Sequence, residues 1–161
     1  MSFHNDLERW RRWCEAEHCP VCQDEQPPGD TVTIRETEFS WIEARPRVCL
    51  PGTCYVLPKA HAVELSDLSE SDLLGFMKDV QAAARALKQV TGAVKINYEI
   101  HGNTVPHLHM HLFPRSVGDP FPGQAIQYGQ VDPPVYGEGD FEEFIRAMRD
   151  WFAREAESAQ L

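Results

Sequence analysis

The sequence predicts an α+β domain, with helices packed on one largely antiparallel sheet of about five strands. Three observations carry this. The strand-like runs VKINYEI and LHMHLF are separated only by HGNTVPH, too short for the crossover that a parallel pair needs. Short β-branched and aromatic runs upstream supply further strands. Two longer segments, one after Ser69 and one around Phe144, repeat apolar residues at helical spacing.

In chain order, Phe3, Leu7, Trp10 and Cys14 mark a short amphipathic helix over residues 3–17. HCPVC then turns, and QDEQPPGD breaks regular structure from Gln23 to Asp30. TVTIRETEFSWIEAR reads as two short strands forming a hairpin, and TCYVLP after Pro51-Gly52 reads as another strand. Ser69 followed by Asp72 opens the clearest helix, as a capping box with Asp in place of Glu. Leu73, Phe76, Met77, Val80, Ala84, Leu87 and Val90 give it one apolar face, and Gly92 suits its end. The two strands around HGNTVP follow. A long Pro- and Gly-rich stretch then leads to a C-terminal helix marked by Phe141, Phe144, Ile145, Met148 and Phe152.

The chain of 161 residues is expected to form a single domain with a sizeable core. Its formal net charge of −10 opposes tracking along a nucleic acid, which needs a broad basic stripe. A small anionic ligand is compatible with that charge, because it needs only a few local cations and backbone donors. No apolar run approaches a membrane span, and MSFHNDLERWRRW lacks the apolar part of a secretory signal, so the cytosol is the expected compartment. There Cys14, Cys19, Cys22, Cys49 and Cys54 are thiols or metal ligands and not a disulfide frame.

The chemistry concentrates in VPHLHMHLFPR. On a strand, His107, His109 and His111 share one face while Leu108, Met110 and Leu112 share the other. The alternatives for three imidazoles on one face are a metal site, nucleophilic or acid–base chemistry near neutral pH, and a merely solvated face. The neighbours favour the second. Gly102-Asn103-Thr104 offers a turn with amide and hydroxyl groups suited to phosphate oxygens, Asn97 can reach the same face, and Arg115 matches phosphate geometry.

PHLHMHLFPR resembles the signature of the histidine-triad (HIT) nucleotide hydrolases and transferases. PGTCYVLPKAHAVELSDLS and KINYEIHGNTVPH are similar to other segments of that family, in the same order, so the resemblance covers roughly residues 31–115. It implies one HIT-like domain with that core, preceded by the N-terminal helix and Cys-x-x-Cys segment and followed by the C-terminal loop and helix. It implies that His109 attacks an α-phosphorus and becomes a nucleotidyl-imidazole. His111 then contacts the phosphate or assists the leaving group, and Asn97, Asn103 and Thr104 hold phosphoryl oxygens. The implied substrates are dinucleoside polyphosphates or nucleoside phosphoramidates. The same chemistry serves nucleotidyl transfer to a phosphate acceptor, and a non-catalytic, zinc-stabilised nucleotide-binding module is the non-enzymatic alternative. The resemblance further implies a homodimer. One departure stands out. Many members carry Asp or Asn as a ribose contact where this chain has Arg45, whose guanidinium cannot accept hydroxyl protons. Arg45 is therefore free to bind a further phosphate or sulfate, or to face solvent.

Cys19-Pro20-Val21-Cys22 has the spacing of a zinc knuckle, or of two unliganded thiols. A subset of histidine-triad relatives that includes galactose-1-phosphate uridylyltransferase is similar here. That likeness implies a structural zinc held by Cys19, Cys22, His61 and His107, with His18 and Cys14 as rival ligands. Lastly, Phe121, Tyr128 and Tyr136 in the Pro-rich stretch are aromatic residues able to stack on a base or to pin the loop.

Overall fold

The computed structural model describes residues 2–23, 31–132 and 134–158, apart from the side chain of Tyr128. The expected break from Gln23 to Asp30 lies outside these residues from position 24 onward. Helix α1 (Leu7–Trp13) is shorter than the apolar spacing predicts. Asp6 caps it by accepting from the Arg9 amide at 3.0 Å, and a 3-10 turn over Ala16–His18 then carries the chain to Cys19.

Strands β1 (Val32–Glu36) and β2 (Ser40–Ala44) form the expected hairpin, and β3 (Cys54–Pro58) continues the sheet. Helix α2 (Glu70–Thr91) starts at Ser69, whose Oγ accepts from the Asp72 amide at 3.1 Å. The Asp72 carboxylate bonds to that hydroxyl at 2.6 Å, and Gly92 closes the helix at φ 68°. Strands β4 (Lys95–Ile100) and β5 (Met110–Arg115) follow, and α3 (Asp140–Ser158) ends the fold. All neighbours in the order β1-β2-β3-β5-β4 are antiparallel. No helix among the described residues is long and apolar enough to cross a membrane.

One sheet face carries Ile42, Val56, Met110 and Leu112 into a core with Phe76, Val80 and Leu87 of α2 and Phe144, Met148 and Trp151 of α3. Burying each such large side chain contributes roughly 1.5–3 kcal/mol. Trp151 Nε1 donates to Gln89 Oε1 at 2.8 Å, fastening α3 to α2. Gly75, a poor helix former in mid-helix, is explained by packing. A Cβ there would stand 2.2 Å from Phe39 in the β1–β2 turn, so only glycine lets α2 lie this close.

The opposite face positions the site. Register aligns Glu43, Tyr55, His111 and Glu99 in one row across β2, β3, β5 and β4. Strand β5 starts two residues later than LHMHLF predicts and runs through Pro114. Pairing with β3 has ended by Leu112, so the missing proline N–H leaves no ladder partner unsatisfied on that side.

Candidate active site and metal cluster

The alternation holds, since Leu108, Met110 and Leu112 all enter one core and leave His107, His109 and His111 to the other side, but the paired strand begins only at Met110, so the ladder does not hold the first two histidines. Their lead-in is tied instead to the β3–α2 connection. The Leu108 amide donates to Ala62 O at 2.7 Å, and His107 Nε2 bonds to Pro58 O at 2.8 Å. His107 is thereby fully buried, and the rings of His109 and His111 lie 4.9 Å apart.

His107 faces the Cys-x-x-Cys segment. A carbonyl only accepts, so the contact to Pro58 fixes the proton on Nε2 and leaves Nδ1 as a lone pair. That Nδ1 lies 3.4 Å from Cys19 Sγ and 3.5 Å from Cys22 Sγ. His61 repeats the device: Nε2 donates to Cys14 O at 2.8 Å, and Nδ1 lies 3.3 Å from Cys22 Sγ. All four ligand atoms fall within 4.8 Å of one another. Around a tetrahedral zinc, sulfur and nitrogen would stand roughly 3.6 Å apart, close to the spacing found. Burial and the adjacent Cys19 push the Cys22 thiol up to about 12, and burial pulls His107 down to about 4. A neutral His107 aimed at a Cys22 thiol that needs a cation to ionise, with Cys19 and His61 beside them, forms a donor set that fits a divalent ion. The rival ligands stand elsewhere. His18 is exposed beside Glu15 and Glu17, and Cys14 Sγ donates to Trp10 O at 3.4 Å.

His109 is held the opposite way round. Its Nδ1 bonds to its neighbour's carbonyl, His107 O, at 2.7 Å, so Nδ1 carries the proton and Nε2 keeps the lone pair. Burial lowers its pKa, with the charges of Arg45 and His101 adding to the effect. His111 is pulled down to about 3 by burial and then by His109, His101 and Arg45. Both rings are therefore neutral at physiological pH. Tyr55 meets His111 edge-on at 5.0 Å from one side and His101 at 5.0 Å from another, with His101 held by Glu99 at 3.0 Å. His109 opens on a cleft of about 440 Å3 whose apolar wall is Phe3, Leu7, Trp10, Val63, Ile100 and Leu108.

The other expected residues divide. Asn97 stands opposite Phe113 on the face of His111, and Asn103 lines the cleft. Thr104 is exposed in the same loop. That loop is braced by the N-terminal segment, since Trp10 Nε1 donates to Gly102 O at 3.3 Å and the Phe3 amide to Asn103 O at 3.1 Å. Arg115 is committed to its own loop: its fork grips Asp119 at 2.7 and 2.8 Å and also bonds Phe121 O. Phe121 is fully buried with Cys49, Leu50 and Phe113. Tyr136 accepts from the Gly52 amide at 2.6 Å and packs on Phe141, so both rings help to pin the loop, and the buried Phe121 is not open for stacking. The side chain of Tyr128 lies outside the described residues. The contribution of α1 to the cleft escapes sequence reasoning. Its apolar spacing is visible, but the surface it packs on is not. Glu99 was within reach, two residues beyond Asn97 on the same strand face.

Comparison with known proteins agrees with this architecture. The family model of the HIT domain matches residues 29–118. The chain is 30% identical over 111 residues to the asymmetrical bis(5'-nucleosyl)-tetraphosphatase of Schizosaccharomyces pombe, a match covering 66% of this chain and 60% of that protein. It is 26% identical over 98 residues to the adenosine 5'-monophosphoramidase of Saccharomyces cerevisiae, covering 60% of each. Both matches span less than two thirds of those relatives' length. A zinc-bound histidine triad family protein from Mycobacterium smegmatis superposes with a TM-score of 0.66 at 25% identity, over 89% of this chain and 99% of that one. With the triad strand, the sheet order and the family match in agreement, the chain belongs to the histidine triad (HIT) family.

Proposed function

We propose that the protein is a nucleotide hydrolase acting at an α-phosphorus through a covalent intermediate on His109. The observation that carries this is the Nδ1 bond to His107 O, which leaves the Nε2 lone pair free on a histidine that lines a nucleotide-sized cleft. In the first step Nε2 attacks phosphorus, and the P–O or P–N bond to the leaving group breaks with its electron pair. In the second, water attacks the same phosphorus, the P–Nε2 bond breaks and the proton of water is released. Asn97, Asn103 and Thr104 donate to the phosphoryl oxygens, and His111 contacts the phosphate beside His109. The apolar wall from Phe3, Leu7 and Trp10 receives one organic part of the substrate. The names of the two yeast relatives support the dinucleoside polyphosphate or nucleoside phosphoramidate class.

Cys19, Cys22, His61 and His107 would hold a structural zinc, whose chemistry is to cross-link the N-terminal segment to the strand that aims His109. Thiol ligands of this kind fit the reducing cytosol. The edge strand β4, with Tyr98 51% and Ile100 38% exposed, supports pairing with a second copy.

The test is a panel of dinucleoside polyphosphates, nucleoside phosphoramidates and adenylyl sulfate, followed by phosphorus NMR with and without phosphate acceptors. A hydrolase releases nucleoside monophosphate regardless of acceptor. Acceptor-dependent products mark a transferase, and binding without turnover marks a non-catalytic module.

A further inference from the structure

Arg45 follows the last residue of β2 and lies over the ring of Tyr55, its Cζ 5.1 Å from the centroid. Tyr55 is the register partner of His111, so the guanidinium and the His111 ring both pack on the same tyrosine. Its Nε is buried and has no hydrogen-bond partner among the described residues. A buried charged donor without an acceptor is unfavourable, and Arg115, the last residue of β5, has its Nε and one terminal nitrogen satisfied by Asp119. Arg45 is half-buried, so it is not simply a solvated side chain. Stacking on Tyr55 occupies the flat face of the guanidinium and leaves the N–H edge, which matches two oxygens of a tetrahedral anion. Its charge already reaches the site, since it helps hold both His109 and His111 neutral. Glu43 and Glu99 share this sheet face, so the cationic feature is a single fork and not a basic patch. One further oxyanion suits it, and a polyanion does not.

We propose that Arg45 is a specificity-determining residue that binds a second anionic group of the substrate, a phosphate or sulfate attached beyond the α-phosphorus. The assignment rests on the nucleotide reading above and deepens it. It favours substrates with an anionic leaving group, such as polyphosphates and adenylyl sulfate, over phosphoramidates with a neutral one.

Calorimetric titration of full-length protein with AMP, ADP and adenylyl sulfate tests this, with His109→Ala in every protein to prevent turnover. ADP and adenylyl sulfate are expected to bind about tenfold or more tighter than AMP. Their relative affinities separate phosphate from sulfate as the preferred group. Arg45→Gln should erase the increment while AMP affinity stays within about twofold, and Arg45→Lys should keep only part of it, since charge remains without the fork. The lysine variant also serves if the glutamine variant does not fold. An increment that is absent, or that survives both substitutions, overturns the role of Arg45 alone. Failure of AMP itself to bind removes the nucleotide reading and this assignment with it.

Discussion

His107 and His109 are the same residue type two positions apart, yet one turns inward to a thiol cluster and the other outward to a cleft. The difference is which ring nitrogen a backbone carbonyl holds. Pro58 O holds Nε2 of His107, so its Nδ1 faces Cys19 and Cys22. His107 O holds Nδ1 of His109, a residue that lines the cleft, so its Nε2 keeps the lone pair. Tautomer control by the backbone thus separates a structural histidine from a reactive one. The ladder of β5 begins only after both, which leaves each ring free to take its own partner.

The largest effect that tests this division is kinetic. His109→Ala should lower turnover by about a thousandfold or more while the melting temperature moves by no more than about 2 °C, read by a substrate assay and calorimetry. Removing the thiols should do the reverse. With Cys19 and Cys22 both changed to Ser, elemental analysis should show loss of about one zinc per chain, and the melting temperature should fall by roughly 10 °C. A metal-free wild type that melts no lower would break the comparison.

Phe121→Ala sharpens it from the scaffold side. Emptying a fully buried position should cost about 3–5 kcal/mol in denaturant unfolding and leave the Michaelis constant of the surviving folded enzyme unchanged. Trp10→Phe keeps the apolar wall but removes the bond to Gly102 O, so a several-fold rise in the Michaelis constant with little change in stability is expected. The smallest effect is on pH. His111 titrates near 3 when folded, against about 6.5 unfolded, so the unfolded chain takes up the proton first as pH falls. Stability from this group is complete above about 6.5 and drains away towards 3. The melting temperature should decline from pH 7 to 5, and less steeply in His111→Asn.

Much of this was legible in the sequence. Alternation of imidazole with Leu108, Met110 and Leu112 marked a strand, and HGNTVP marked its antiparallel partner, because period and link length are local properties. The four cluster residues were named from likeness to relatives, and they converge. What escaped was tertiary. Nothing local reveals that Leu108 would bond to Ala62, or that His107 would bond to Pro58 O and meet the thiols. Nor does local pattern show that Asp119 would occupy Arg115, or that Phe121 would be buried against Phe113. Arg45 was visible as an anomaly of type, but its unsatisfied Nε appears only once Tyr55 lies beneath it.

The central claim is that His109 Nε2 forms a bond to phosphorus. The stereochemical course of hydrolysis at a chiral α-phosphorothioate, in isotopically labelled water, tests it most directly. Two successive in-line displacements predict retention of configuration at phosphorus. Inversion would mean that water attacks the substrate directly, and would contradict the covalent role of His109.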